Sequence, residues 1–335
     1  MTYETEATRG GRRLKPIEAP GIEEIRAARD RLAGIAVRTP LLRLELPDIP
    51  SAPVIHLKLE NLQPIGSFKI RGALNAILRA DRDAIERGVV TASAGNMAQG
   101  VAYVARRLGV PCTVIVPDEA PEVKTRAVER LGARVIRVPF GAWWRALEEH
   151  GHPNVDGFFV HSVCDPAVIA GNGTIGLEIA EELPDVDTIL VPFGGGGLSG
   201  GIAVAARSVL PRARVFGCEV ETAAPLRASL EAGAPVQVDH RPSFVDGIGG
   251  KGLLPEMWPL VRSALAGSIV VTLEETARAI RLLVERARVV AEGAGGVPLA
   301  AALSGRAGDG VVVCVVSGGN LDPAKLATIL SGEVP

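Results

Sequence analysis

Short β-branched apolar runs alternate with amphipathic stretches along most of the chain, and this alternation does most to narrow its fold. The runs are VIHLKLE (54–60), GVVTAS (88–93), CTVIVP (112–117), ARVIRV (133–138), GFFVHS (157–162), DTILVP (187–192), ARVFGCEV (213–220) and GVVVCVVS (310–317). Between them lie MAQGVAYVARRLG (97–109), EVKTRAVERLG (122–132) and TARAIRLLVERARVV (276–290), whose apolar positions recur at helical spacing. Steady alternation of strand and helix predicts an α/β protein built on parallel sheets. Gly109 and Gly132 close helical stretches, where a left-handed C-cap is expected.

The stretch 88–162 is compact enough to be a small domain inserted in a larger one made of 21–87 and 163–335, with residues 1–20 as a loosely held arm. A formal net charge of −2 gives no electrostatic reason to expect nucleic acid or an anionic membrane as partner. No run of about eighteen apolar residues offers a membrane span. The opening MTYETEATRGGRRLKP has no apolar core for a secretory signal, so a cytoplasmic address is expected. Cys112, Cys164, Cys218 and Cys314 are scattered singly and read as buried thiols rather than metal ligands.

Ligands of open α/β sheets sit at the carboxyl ends of the strands, and four segments there stand out. They are NLQPIGSFKIRGA, SAGNMAQG, GGGGLSGG and SGGN. Gly195-Gly196-Gly197-Leu198-Ser199-Gly200 is a formal G-x-G-x-x-G, and Glu219 follows about twenty residues on, as in a dinucleotide fingerprint. A nicotinamide-dependent oxidoreductase is therefore the reading from a different class, but it gives Lys69, SAGN and SGGN no role.

Lys69 follows Ser67, a plausible N-cap, and falls in the first turn of a helix between Phe68 and Ile70. The positive helix end and apolar neighbours both lower the pKa of a lysine placed there. Such a lysine is either a snorkelling side chain or a nucleophile able to form a Schiff base with a carbonyl.

LENLQPIGSFKIRGALNAI, the stretch from TASAGN to GARV, DPAVIAGNGTIGLEIAEEL, VPFGGGGLSGGIA and VSGGN occur in one order. From about residue 20 to the C-terminus the chain closely resembles the serine/threonine dehydratase family, which includes serine racemase. These are fold-type II, tryptophan-synthase β-like enzymes. The resemblance implies two open twisted parallel-sheet domains with pyridoxal phosphate in the cleft between them, and a homodimer or homotetramer.

The resemblance further implies that Lys69 holds the cofactor and, once released, takes the α-proton of the substrate. Phe68 would pack near the pyridine ring, and Asn96 would bond the phenolic oxygen. Gly194, Gly195, Gly196 and Gly197 would cradle the phosphate through backbone amides. Ser317 would face the pyridine nitrogen, and a neutral serine leaves that nitrogen largely unprotonated. Ser93, Ala94, Gly95, Asn96 and Met97 would receive the substrate carboxylate at a helix N-terminus. The implied reaction is loss of water from a β-hydroxy amino acid such as L-threonine or L-serine, followed by hydrolysis of the released aminoacrylate-type product to a 2-oxo acid and ammonia.

Four departures from the family pattern bear on this. Met97 stands where histidine is usual and Ile65 where threonine is common, which points to a more apolar pocket and to a bulkier or less polar β-hydroxy amino acid as the alternative substrate. Ala94 stands where racemases place a serine as second acid, which weighs against the alternative of an amino-acid racemase. Glu219 matches one carboxylate of the metal site in some relatives, but Pro225 stands where the second would be, so no metal is expected beyond a weak site at Glu219.

Overall fold

The apolar runs assemble into two sheets in the computed structural model, which describes residues 15–49 and 51–335 and the backbone of a short ribbon pairing Thr8–Arg9 with Arg12–Arg13. Most of the expected 1–20 arm lies outside the described residues; Ile17 within it donates its N–H to the Glu256 carbonyl at 2.9 Å. The strands are β1 (Leu41–Leu44), β2 (Val54–Lys58), β3 (Val89–Ala92), β4 (Cys112–Pro117), β5 (Arg134–Val138), β6 (Phe158–Phe159), β7 (Thr188–Pro192), β8 (Arg214–Val220), β9 (Gly267–Val271) and β10 (Val311–Val315).

Six of them form one sheet in the order β9-β8-β7-β10-β2-β1, parallel except where β1 meets β2. The other four form a wholly parallel sheet in the order β5-β4-β3-β6. All four come from the continuous stretch between Val89 and Phe159. Every residue of β7 is buried, as expected of a central parallel strand covered on both faces. The edge strands β1 and β9 were not among the apolar runs read from the sequence.

Three helices set the site's geometry. Lys69–Arg79, Pro166–Glu182 and Gly197–Val209 pack side by side, backbone against backbone. Glycine makes this approach possible: a Cβ on Gly171 would lie 2.4 Å from the Arg71 carbonyl, and one on Gly201 would lie 2.4 Å from that of Ile169. The N-termini of the first and third helices are thereby held at fixed separation through the second.

A buried ionic group locks the same contact. Arg71 reaches Glu60 at 2.8 Å and Glu178 at 2.6 Å, and Lys58 reaches Glu178 at 2.7 Å. All four side chains are at most 5% exposed. The two cations and two carboxylates balance, and hydrogen bonds from Thr39 and to its carbonyl complete the set.

Candidate active site

Each segment that the sequence places after a strand reaches one junction. After β2 the chain makes a turn and enters the Lys69 helix, whose N-cap residue is Phe68 with no side-chain cap. Ser67 does not cap it: its hydroxyl is buried and lacks a partner among the described residues. The residue forms a bridge to Gly318 instead. Phe68 donates its N–H to the Ser317 carbonyl at 3.0 Å, and Gly319 donates to Gly66 at 2.9 Å. Two chain segments some 250 residues apart are thus clipped together beneath Lys69, and buried Ser317 lies in the clip.

Lys69 is partly buried, with its Nζ 3.2 Å from the Ser162 carbonyl and 5.1 Å from the centroid of the Phe68 ring. Loss of solvation lowers its pKa from 10.5 to about 8, against a smaller upward pull from Glu292.

After β3 comes the half-buried turn Ser93, Ala94, Gly95, where Ser93 Oγ accepts from the Gly95 N–H at 3.2 Å. The helix Asn96–Leu108 then begins without a side-chain cap, leaving first-turn amides open to an anion. Asn96 Nδ2 donates to Glu292 at 2.8 Å, and its Oδ1 accepts from Asn320 Nδ2 at 2.8 Å. Met97 is buried in one apolar cluster with Ile65, Ile70 and Leu74.

After β7 the glycines Gly194 to Gly196 lead into the helix Gly197–Val209, again with no side-chain cap. Gly196 has φ 92°, a left-handed conformation that suits glycine. Val163 closes one wall: a Cβ on Gly195 would lie 2.7 Å from its side chain, and one on Gly197 would lie 3.2 Å from its carbonyl oxygen. This bare backbone at an uncapped helix N-terminus has the chemistry of a phosphate cradle.

The wall and the lysine contact come from one tight turn. His161 Nδ1 accepts from the N–H groups of Val163 at 3.0 Å and Cys164 at 2.7 Å. Burial, then the His150 ring stacked at 4.5 Å and Lys69, holds the His161 pKa down at about 3. Its imidazole therefore stays a neutral acceptor.

Glu219 lies outside this arrangement. Its carboxylate accepts from the N–H groups of Leu226 at 2.7 Å and Arg227 at 2.9 Å and from the Ser268 hydroxyl at 2.5 Å. It caps the helix Pro225–Ala232, which has no capping side chain of its own. Among the described residues no group of three or more His, Cys, Asp and Glu side chains is placed to hold a metal.

Sequence reasoning missed Glu292, Asn320 and the 161–164 turn. Asn320 was visible as the last residue of SGGN, and Glu292 as a lone acid in the apolar stretch VVAEGAGGV. The residues present fit pyridoxal phosphate: a lysine with a lowered pKa, an oriented amide, an unpartnered buried hydroxyl at Ser67 and a glycine cradle meet at one junction.

Known proteins resemble the chain over nearly its whole length. An L-threonine ammonia-lyase of Geobacter sulfurreducens is 44% identical over 314 residues, 91% of this chain and 77% of that one. The L-threonine ammonia-lyase of Thermotoga maritima is 42% identical over 317 residues, 92% of this chain and 78% of that one. Among solved structures, maize serine racemase superposes with a TM-score of 0.84 at 32% identity, covering 94% of this chain and 98% of the other. A T.th. threonine deaminase gives 0.80 at 35% identity, covering 90% and 99%. The family model described as "Pyridoxal-phosphate dependent enzyme" matches residues 33–318, so the chain belongs to that family and pyridoxal phosphate is its cofactor.

Proposed function

We propose that this protein is an ammonia-lyase that eliminates water from L-threonine or L-serine, the released enamine then taking up water to give a 2-oxo acid and ammonia. One observation supports the reading: Lys69 contacts Ser162, whose neighbour Val163 walls the uncapped glycine-rich helix start, and Glu292, which acts on Lys69, holds the Asn96 amide. The names of the two ammonia-lyase relatives agree with it.

Bound pyridoxal phosphate supplies an electron sink that acidifies the Cα–H of an amino acid joined to it. The rest falls to the protein. Lys69 accepts the α-proton at Nζ. A pKa of about 8 instead of 10.5 leaves roughly 300-fold more neutral amine at neutral pH. The Ser162 carbonyl and the Phe68 ring hold Nζ in place. The amides of Gly194, Gly195, Gly196 and Gly197 would hold the phosphate, and the Asn96 amide would hold the ring through its phenolic oxygen. The amides from Ser93 to Met97 bind the substrate carboxylate. Ser317, buried in the clip, would offer the pyridine nitrogen a neutral hydroxyl rather than a charge, an environment that suits elimination.

Racemisation needs a proton donor on the opposite face of Cα, and Ala94 offers none. In this reading residues 21–87 and 163–335 form the cofactor-binding domain and 88–162 the smaller one. The enzyme is a cytoplasmic homodimer or homotetramer. No helix among the described residues is long and apolar enough to cross a membrane, and the four cysteines are buried free thiols.

The test is direct. The purified protein is expected to be yellow, to lose its visible band with borohydride, and to carry the reduced cofactor on the peptide containing Lys69. It is also expected to release 2-oxo acid and ammonia from threonine or serine. A colourless protein, or label on another lysine, overturns the reading.

A further inference from the structure

The Asn96 amide is held from both sides. On one side its Oδ1 accepts from Asn320 Nδ2, which also donates to the Ile65 carbonyl at 2.9 Å. An oxygen committed to that donor leaves Nδ2 facing the other way, toward Glu292 at 2.8 Å. One Asn96 N–H then remains for the cofactor.

Glu292 has no structural task that explains its burial. It sits at the N-cap position of the helix Gly293–Leu303, yet its side chain caps none of that helix's amides. Its N–H donates to the Gly318 carbonyl at 3.0 Å, and a Cβ on Gly318 would lie 2.6 Å from Oε1. The carboxyl is therefore pressed between Asn96 and the segment that carries Ser317, with the residue only 8% exposed.

The charged groups that bear on it are Lys69, Lys124 and Asp246. Lys124 and Asp246 pair with each other at 2.8 Å and largely cancel. Lys69 is itself held below its ordinary pKa. No fixed cation is dedicated to this carboxyl, and burial pushes it up to about 7 against the Asn96 hydrogen bond.

We propose that Glu292 is a positioning acid: acting through Asn96, it fixes which amide hydrogen meets the cofactor's phenolic oxygen, and its proton sets the charge beside that oxygen. This rests on the assignment of Lys69 and Asn96 as cofactor contacts under Proposed function. An ionised Glu292 binds the Asn96 amide tightly and adds negative charge near the phenolic oxygen, favouring a proton there. A neutral Glu292 loosens that hold and lets the oxygen remain charged. Neither Asn320 nor Ser317 titrates in this range, so neither does the same.

The experiment is a pH titration of the visible absorbance of the cofactor-loaded protein, wild type against Glu292→Gln. The wild type is expected to show a transition in the neutral range, and the Gln variant to stay coloured while that transition disappears or moves by about one pH unit or more. A Gln variant that is coloured and titrates like wild type overturns the role of Glu292 and leaves the cofactor assignment standing. A colourless wild type overturns both. If the Gln variant does not fold, a carbon-13 titration of the assigned Glu292 carboxyl in the wild-type holoenzyme decides: titration near neutrality is expected, and titration within the usual carboxylate range overturns the proposal.

Discussion

The Lys69 Nζ lies 3.2 Å from the Ser162 carbonyl oxygen, across 93 residues of chain. A neutral acceptor compensates an ammonium only in part for lost hydration, so the site holds its lysine at a cost to the fold. The folded lysine protonates below about 8 and the unfolded one below about 10.5. The cost is therefore fully present below about 8 and is relieved as pH rises to about 10.5. Lys69→Met is expected to stabilise the cofactor-free protein at neutral pH by at most about 3 kcal/mol, less what partial solvent access already relieves. Urea unfolding at pH values below and above this window measures the gain and its disappearance. A Met variant less stable than wild type at neutral pH contradicts the account.

The glycine cradle can be probed without breaking the fold because its members differ. A Cβ on Gly194 meets nothing closer than 3.7 Å, whereas one on Gly196 would lie 2.6 Å from the Val261 side chain at a φ of 92°. Gly194→Ala is expected to fold with near-wild-type stability and to bind pyridoxal phosphate about tenfold or more weakly, because its methyl group occupies cradle space. Gly196→Ala is expected to lose roughly 2–4 kcal/mol of stability from backbone strain and overpacking. Cofactor titration and thermal unfolding separate the two effects. Equal cofactor affinity in Gly194→Ala and wild type removes Gly194 from the site.

How much of this was legible in the sequence depends on what each residue answers to. The eight apolar runs all became strands because a buried parallel strand must be apolar along its length, although GFFVHS kept only Phe158 and Phe159 in the sheet. Lys69, Asn96 and the glycine run were legible because each stands where a strand gives way to a helix. Ser67 misled: its spacing suited a cap, but the helix starts one residue later and the hydroxyl turns inward. Glu219, the acid at dinucleotide or metal spacing that the sequence reading already discounted, has bonds that cap a helix. Glu292, Asn320 and His161 act through contacts spanning long stretches of chain, or through a local turn, which no periodicity records. Met97 and Ile65 suggested a more apolar pocket, and the structure places both in a buried apolar cluster.

That burial makes a prediction about specificity. A side chain packed with Ile70 and Leu74 contributes volume more than chemistry, so the volume-conserving Met97→Leu is expected to cost less than about 1.5 kcal/mol of stability. Its preference between threonine and serine, read as the ratio of their kcat/KM values, is expected to stay within about threefold of wild type, under about 1 kcal/mol. A larger change in that ratio places the Met97 side chain against the substrate.

His161 gives the turn behind Lys69 an acid limit. Its neutral Nδ1 accepts two N–H groups, and one of the donors is Val163, which walls the glycine cradle. The folded imidazole protonates only near pH 3, the unfolded one near 6.5. The stabilisation it gives is thus complete above about 6.5 and is lost as pH falls toward about 3. His161→Ala leaves both N–H groups without their acceptor and is expected to destabilise the protein by roughly 2–4 kcal/mol at neutral pH. Its stability should then fall less steeply than wild type below about 6.5, because the titrating group is gone. Thermal unfolding over a pH series tests this, with cofactor retention followed by absorbance in the same samples. Parallel pH curves for variant and wild type would show that the turn does not depend on a neutral imidazole.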